Sequence, residues 1–155
     1  AYCKKFPQDE LVALVDYNND VITDSLKVAR EFGNRLKGVR LDTSRTLIDK
    51  YFLRNQHVLG TFDPRGVNAE LIFALRKALD DEGYHHVRIV ASGGFTVKRI
   101  EEFEKNGVPV DMYGIGSSLL KINIGFTGDN VMLNGKPQSK EGRQYWPNLR
   151  LKKVE

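Results

Sequence analysis

Val87-Arg88-Ile89-Val90-Ala91-Ser92-Gly93-Gly94-Phe95-Thr96 is the stretch that decides the fold. Five residues rich in β-branched side chains make a strand, a pair of glycines breaks it, and Thr96 starts a helix. Beyond Thr96 the apolar residues Val97, Ile100 and Phe103 recur at helical spacing and are expected to point inward, and Gly107 stops the run. The pattern returns downstream, where Val110-Asp111-Met112-Tyr113 breaks at Gly114-Ile115-Gly116-Ser117. Upstream, Leu11-Val12-Ala13-Leu14-Val15 is a continuous apolar run, as expected of a strand covered on both faces. It ends at Asp16, after which Ile22, Leu26, Ala29, Phe32 and Leu36 mark a helix over 21–36 with Asp20 as its N-cap. Gly38 introduces another strand, Val39-Arg40-Leu41-Asp42. Asn68 caps a further helix, with Leu71, Ile72, Leu75, Ala78 and Leu79 as its stripe and Gly83 as its stop. Strands alternating with helices of this length predict an α/β fold of parallel βαβ units joined by right-handed crossovers.

Residues 43–66 carry no clean period and read as a long excursion with a helical turn or two, the kind of loop that covers a site. Residues 1–120 thus form the main body. In 121–155 the character changes: 121–133 alternates loosely and Asn134-Gly135 is a strong turn signal, which predicts a C-terminal antiparallel β element. The last residues, with Pro137, Trp146 and Pro147, read as an arm packed across a surface.

The 155 residues, 41% of them hydrophobic, are enough for one domain. No apolar run approaches the ~20 residues of a membrane helix, and the net charge of +4 comes from basic residues scattered among acidic ones. Neither a membrane nor a nucleic acid is expected as a partner. The single Cys3 excludes an internal disulfide and a cysteine-rich zinc site, which fits a cytoplasmic protein. His57, His85 and His86 make no metal pattern, so no metal-ligating residues are assigned. The acidic runs at Asp80-Asp81-Glu82 and Glu101-Glu102 read as solvated helix faces.

In parallel α/β architectures ligands sit at the carboxyl ends of the strands. Asp16, Asp42, Ser92-Gly93-Gly94 and Gly114-Ile115-Gly116-Ser117 all fall there. Glycines before a helix let backbone N–H groups approach an anion, and two such turns on adjacent strands could close on one phosphate. The competing reading is that the glycines serve turn sterics alone. Arg40 and Asp42, two apart, share one side of their strand. Either they face a ligand, with the carboxylate taking ribose hydroxyls, or they form an internal ion pair.

With these residues in hand the chain resembles the nicotinate phosphoribosyltransferases, type II phosphoribosyltransferases built on an irregular β/α barrel. The resemblance rests on the order and spacing of the four strand ends, from Leu11 to Ser117. It implies joining of nicotinate to phosphoribosyl pyrophosphate, with ATP hydrolysis and Mg²⁺, giving nicotinate mononucleotide and pyrophosphate. It places Asp42 on the ribose hydroxyls, Arg40 near the pyridine carboxylate, and the backbone of Ser92, Gly93, Gly94, Gly114, Gly116 and Ser117 on the 5′-phosphate. Asp16 matches an acidic residue close to the family's reactive histidine.

Where many relatives follow the aspartate with a small residue, Gly and Asp, this chain has Thr43-Ser44-Arg45-Thr46. The family's phosphorylated histidine and N-terminal nicotinate-binding segment have no counterpart here. The chain is therefore read as the C-terminal half of the enzyme, inactive alone, with the remaining half and further copies of itself in a homo-oligomer as partners. Quinolinate phosphoribosyltransferase, which decarboxylates its substrate without ATP, is the nearest rival; Ser139-Lys140-Glu141-Gly142-Arg143 and Tyr145 favour the nicotinate branch. A β/α-barrel lyase or isomerase would want a base at a strand end, and none of these strands supplies a lysine. A non-catalytic module, with purely structural glycines and Asp42, is the last alternative.

Overall fold

The structure is a computed structural model that describes residues 2–120 and 127–150, the side chains of Ser117 and Leu120 excepted. In chain order it contains α1 (Tyr2–Lys5), β1 (Leu11–Leu14), α2 (Val21–Phe32), β2 (Leu36–Leu41), α3 (Lys50–Arg54), α4 (Ala69–Asp81), β3 (Arg88–Ala91), α5 (Val97–Lys105), β4 (Met112–Tyr113) and α6 (Ser117–Leu120). A hairpin of β5 (Met132–Leu133) and β6 (Lys136–Pro137) follows. The first four strands form one parallel sheet in the order β1-β2-β3-β4, and β5 pairs antiparallel with β6 in a separate sheet. The fold is α/β.

Sequential strand order means that every crossover steps in the same direction, and right-handed crossovers then put the connecting helices on one face. That face holds the core: Val39, Leu41, Ile89 and Ala91 from the sheet are buried with Ala29, Leu71, Leu75, Leu79 and Phe103 from the helices. The other face carries Leu14, Arg40, Val90 and Met112 in one cross-strand row. Leu14 is 54% exposed and Met112 41%. The expectation that the first strand is covered on both faces is therefore corrected, because no described helix lies over this side. One helical layer over consecutive parallel strands is the arrangement found in successive units of a β/α barrel.

Three local readings are also corrected. The second helix ends at Phe32, not Leu36: Gly33, at φ 51°, gives its N–H to the Ala29 carbonyl and turns the chain out of the helix. Leu36 keeps the apolar spacing but enters β2, where it is fully buried. Val97, expected inward, is 73% exposed at the first position of α5, so Ile100 and Phe103 alone carry the inward stripe.

Asp20 stands at the N-cap of α2 without capping it; both its oxygens bind the Arg54 guanidinium, at 2.6 and 2.7 Å. The cap comes from Asp49, whose Oδ2 accepts the Val21 N–H at 3.0 Å while Oδ1 accepts the Tyr51 N–H at 2.8 Å. One buried carboxylate thus starts α2 and α3 together, and burial pushes its pKa up. It staples the excursion, which also bridges Ile48 to Arg65, onto the sheet body. Asn68 caps α4 as expected, and Thr96, the expected start of the next helix, caps α5.

Asn134 and Gly135, both at positive φ, make the tight turn of the C-terminal hairpin, whose strands are two residues each. Residues 121–126 of the expected β element lie outside the described residues. The arm packs only in part: Glu141 gives its N–H to the Tyr17 carbonyl, whereas Trp146 is 74% exposed. Among the described residues no helix is long and apolar enough to cross a membrane.

Candidate functional site

Parallel pairing brings the ends of β2, β3 and β4 to one edge of the sheet. Between them lies a cavity of about 480 Å³ lined by Arg40, Asp42, Val90 and residues 92–95 and 114–116. Arg40, Asp42, Ser92, Gly93, Gly94, Gly114 and Gly116 therefore meet in one place. Ser117 begins α6 just beyond them, and its side chain lies outside the described residues.

Arg40 ties two walls together. Its Nε donates to Ser92 Oγ at 3.0 Å and its Nη2 to Asp42 Oδ2 at 2.8 Å, while the Ser92 hydroxyl donates onward to the Leu41 carbonyl. The ion pair sits at the cavity, with 47% and 38% of the two side chains exposed. An exposed pair of this kind is worth at most ~1 kcal/mol of stability. Asp42 Oδ1 accepts no hydrogen bond from the described residues.

The glycines are required by shape. At Gly114 an added Cβ would lie 2.8 Å from Ser92 Cβ, so the two turns approach too closely for any side chain. At Gly93, φ of 94° excludes most residues, and a Cβ would also meet Asp42 Oδ1 at 3.2 Å. Among the described residues no acceptor takes the N–H groups of Gly93, Gly94, Phe95, Ile115 or Gly116. Backbone donors left open on two facing turns make a receptacle for an anion.

Asp16 does not line the cavity. It is 1% exposed, and its Oδ2 accepts the Asp42 N–H at 3.2 Å and Lys140 Nζ at 2.5 Å. Lys140 also donates to the Asp42 carbonyl at 3.3 Å. Asp16 is thus the post on which the end of β2 and the C-terminal arm are fixed.

Lys140, Arg45 and Arg99 are parts of this region that sequence reasoning did not assign. Arg45 Nη2 donates to the Gly94 carbonyl at 2.7 Å and Arg99 Nη1 to the Gly93 carbonyl at 3.3 Å. A larger cavity of about 650 Å³ lies behind the turn, lined partly by these two arginines. It has mixed charge and none of the open turn amides, so the smaller cavity is the candidate site. Among the described residues no group of three His, Cys, Asp or Glu side chains could hold a metal ion.

No protein-family model matches the chain. A crystal structure of nicotinate-nucleotide pyrophosphorylase from Pyrococcus furiosus matches it with a TM-score of 0.52 and 29% identity, over 86% of this chain and 29% of that one. Nicotinate phosphoribosyltransferase of Bacillus subtilis strain 168 is 26% identical over 112 residues, 71% of this chain and 18% of that protein. These likenesses support a relationship to the phosphoribosyltransferases, a class of transferases, without selecting one member. The chain spans less than a third of the length of either relative.

Proposed function

We propose that this chain supplies the sugar-phosphate site of a nicotinate phosphoribosyltransferase, which joins nicotinate to the ribose of phosphoribosyl pyrophosphate and releases pyrophosphate. The observation that carries the reading is the single cavity in which open amides of two glycine turns face an aspartate with a free oxygen. The amides around Gly94 and Gly116 receive the 5′-phosphate, and Asp42 Oδ1 accepts the ribose hydroxyls. Arg40, held between Ser92 and Asp42, keeps a fixed guanidinium at the mouth for the pyridine carboxylate.

Ribosyl transfer through a cation-like centre demands that the sugar be held in line and the departing charge be balanced, and a covalent nucleophile is not required. Asp42 with the substrate's own oxygens suits Mg²⁺, which is commonly bound through one or two carboxylates and phosphates, and the ion would neutralise the leaving pyrophosphate. ATP coupling, a cytoplasmic location, a homo-oligomeric assembly and dependence on the remaining half of a β/α barrel belong to the same proposal.

The full-length protein, incubated with phosphoribosyl pyrophosphate and either nicotinate, nicotinamide or quinolinate, with and without ATP, tests it by mass spectrometry of the products. Nicotinate mononucleotide from nicotinate, formed faster with ATP, is the expected result. Nucleotide from quinolinate with loss of carbon dioxide would move the chain to the decarboxylating branch. No nucleotide from any of the three would overturn the reading.

A further inference from the structure

Two arginines behind the first glycine turn have no carboxylate partner among the described residues. Arg45 donates to the Gly94 carbonyl at 2.7 Å; Arg99 donates to the Gly93 carbonyl at 3.3 Å and also to the Val67 carbonyl. The Arg99 guanidinium rests 4.3 Å from the centre of the Phe95 ring and 5.5 Å from that of Phe103. Burial, and after it the charge of Arg45, pull the Arg99 pKa below its ordinary value. Two cations held side by side repel, so their placement needs a return.

Peptide geometry supplies one. A trans peptide is planar, and its N–H points opposite to the carbonyl it shares the plane with. The Gly93 carbonyl therefore fixes the direction of the Gly94 N–H, and the Gly94 carbonyl fixes that of the Phe95 N–H. Both guanidiniums line the rear cavity and neither lines the front one, which Gly93, Gly94 and Phe95 do line; Arg45 also borders a side cavity of about 370 Å³ that Asp42, Gly93 and Gly94 share. Drawing the carbonyls backward aims the amides forward. Glycine tolerates either sign of φ, so an unanchored Gly-Gly peptide is free to flip and present an oxygen to the anion instead.

We propose that Arg45 and Arg99 are positioning residues, which hold the Gly93 and Gly94 carbonyls to the rear and so keep the Gly94 and Phe95 N–H groups directed at a sugar phosphate. The inference rests on the sugar-phosphate reading above and deepens it. Neither arginine touches the ligand.

Binding of ribose 5-phosphate and of inorganic phosphate to the full-length protein, followed by calorimetry and by the Gly94 and Phe95 amide resonances, provides the test. Arg99→Met keeps the apolar contact with Phe95 and Phe103 but removes the donors; Arg45→Met removes the donor to the Gly94 carbonyl at an exposed position. Each is expected to weaken ribose 5-phosphate about tenfold, to raise KM for phosphoribosyl pyrophosphate without changing KM for nicotinate, and to abolish the two amide shifts on binding. Arg65→Met, which removes a cation of the same rear cavity that is paired with Asp63, should change none of these. Should Arg99→Met fail to fold, Arg45→Met decides alone. Wild-type affinity and wild-type amide shifts in the Met variants would overturn the inference and leave the proposed function standing. A wild-type protein that binds neither phosphate compound would overturn both.

Discussion

Asp16 and Asp42 follow neighbouring strands by the same chemical pattern, yet the protein uses them in opposite ways. Asp16 is buried, with one oxygen shared by Lys140 and the Asp42 N–H. Asp42 stands at the cavity mouth, with one oxygen on Arg40 and the other open. The difference lies in what covers each strand end. The C-terminal arm closes over Asp16 and leaves Asp42 facing the gap between the glycine turns. A buried carboxylate already matched by a cation holds structure; one at an open mouth is available for chemistry.

Replacing each aspartate should separate the two roles. In the full-length protein Asp16→Ala leaves Lys140 without its counter-charge and detaches the arm, and should cost about 3 kcal/mol of stability in denaturant unfolding. A loss below ~1 kcal/mol would erase the contrast. Asp42→Ala should leave unfolding nearly unchanged, since its ion pair is exposed, while reducing kcat/KM about thirty-fold, or about 2 kcal/mol. Full turnover in that variant would remove the ribose role.

A third aspartate sharpens the comparison with a smaller effect. The Arg54 guanidinium holds the Asp20 carboxyl below its ordinary value of 3.8. Its folded pKa is the lower one, so its contribution is complete above 3.8 and is lost as pH falls through the depressed value. Wild type should exceed Asp20→Asn in stability by about 0.5 kcal/mol near neutrality, and the two melting curves should converge in acid. Asp49 runs the other way: its folded pKa is raised, so the cost of its ionisation is relieved as pH falls through that value.

Much of this was legible in the chain. Local signals sufficed wherever the partner was near in sequence: Asn68 and Thr96 cap helices that begin one residue later, and the glycine pairs mark strand ends directly. They also sufficed for parity, which put Arg40 and Asp42 on one side of β2. Leu36 misled because spacing alone cannot register that Gly33 has already turned the backbone. Asp49 was silent because the N–H it caps in α2 lies 28 residues away. Arg45 and Arg99 were silent for a different reason, in that they bind carbonyls, which every residue carries and no sequence pattern displays.

The tie between Lys140 and Asp16 spans 124 positions. Bringing together ends so far apart costs chain entropy that only a preformed landing place can offset, so the βαβ units should assemble first and the arm should seat last. During that interval a negative charge sits uncompensated beneath the strand tips. Maturation of the mouth is then a late event in folding, timed by the arrival of a single ammonium group.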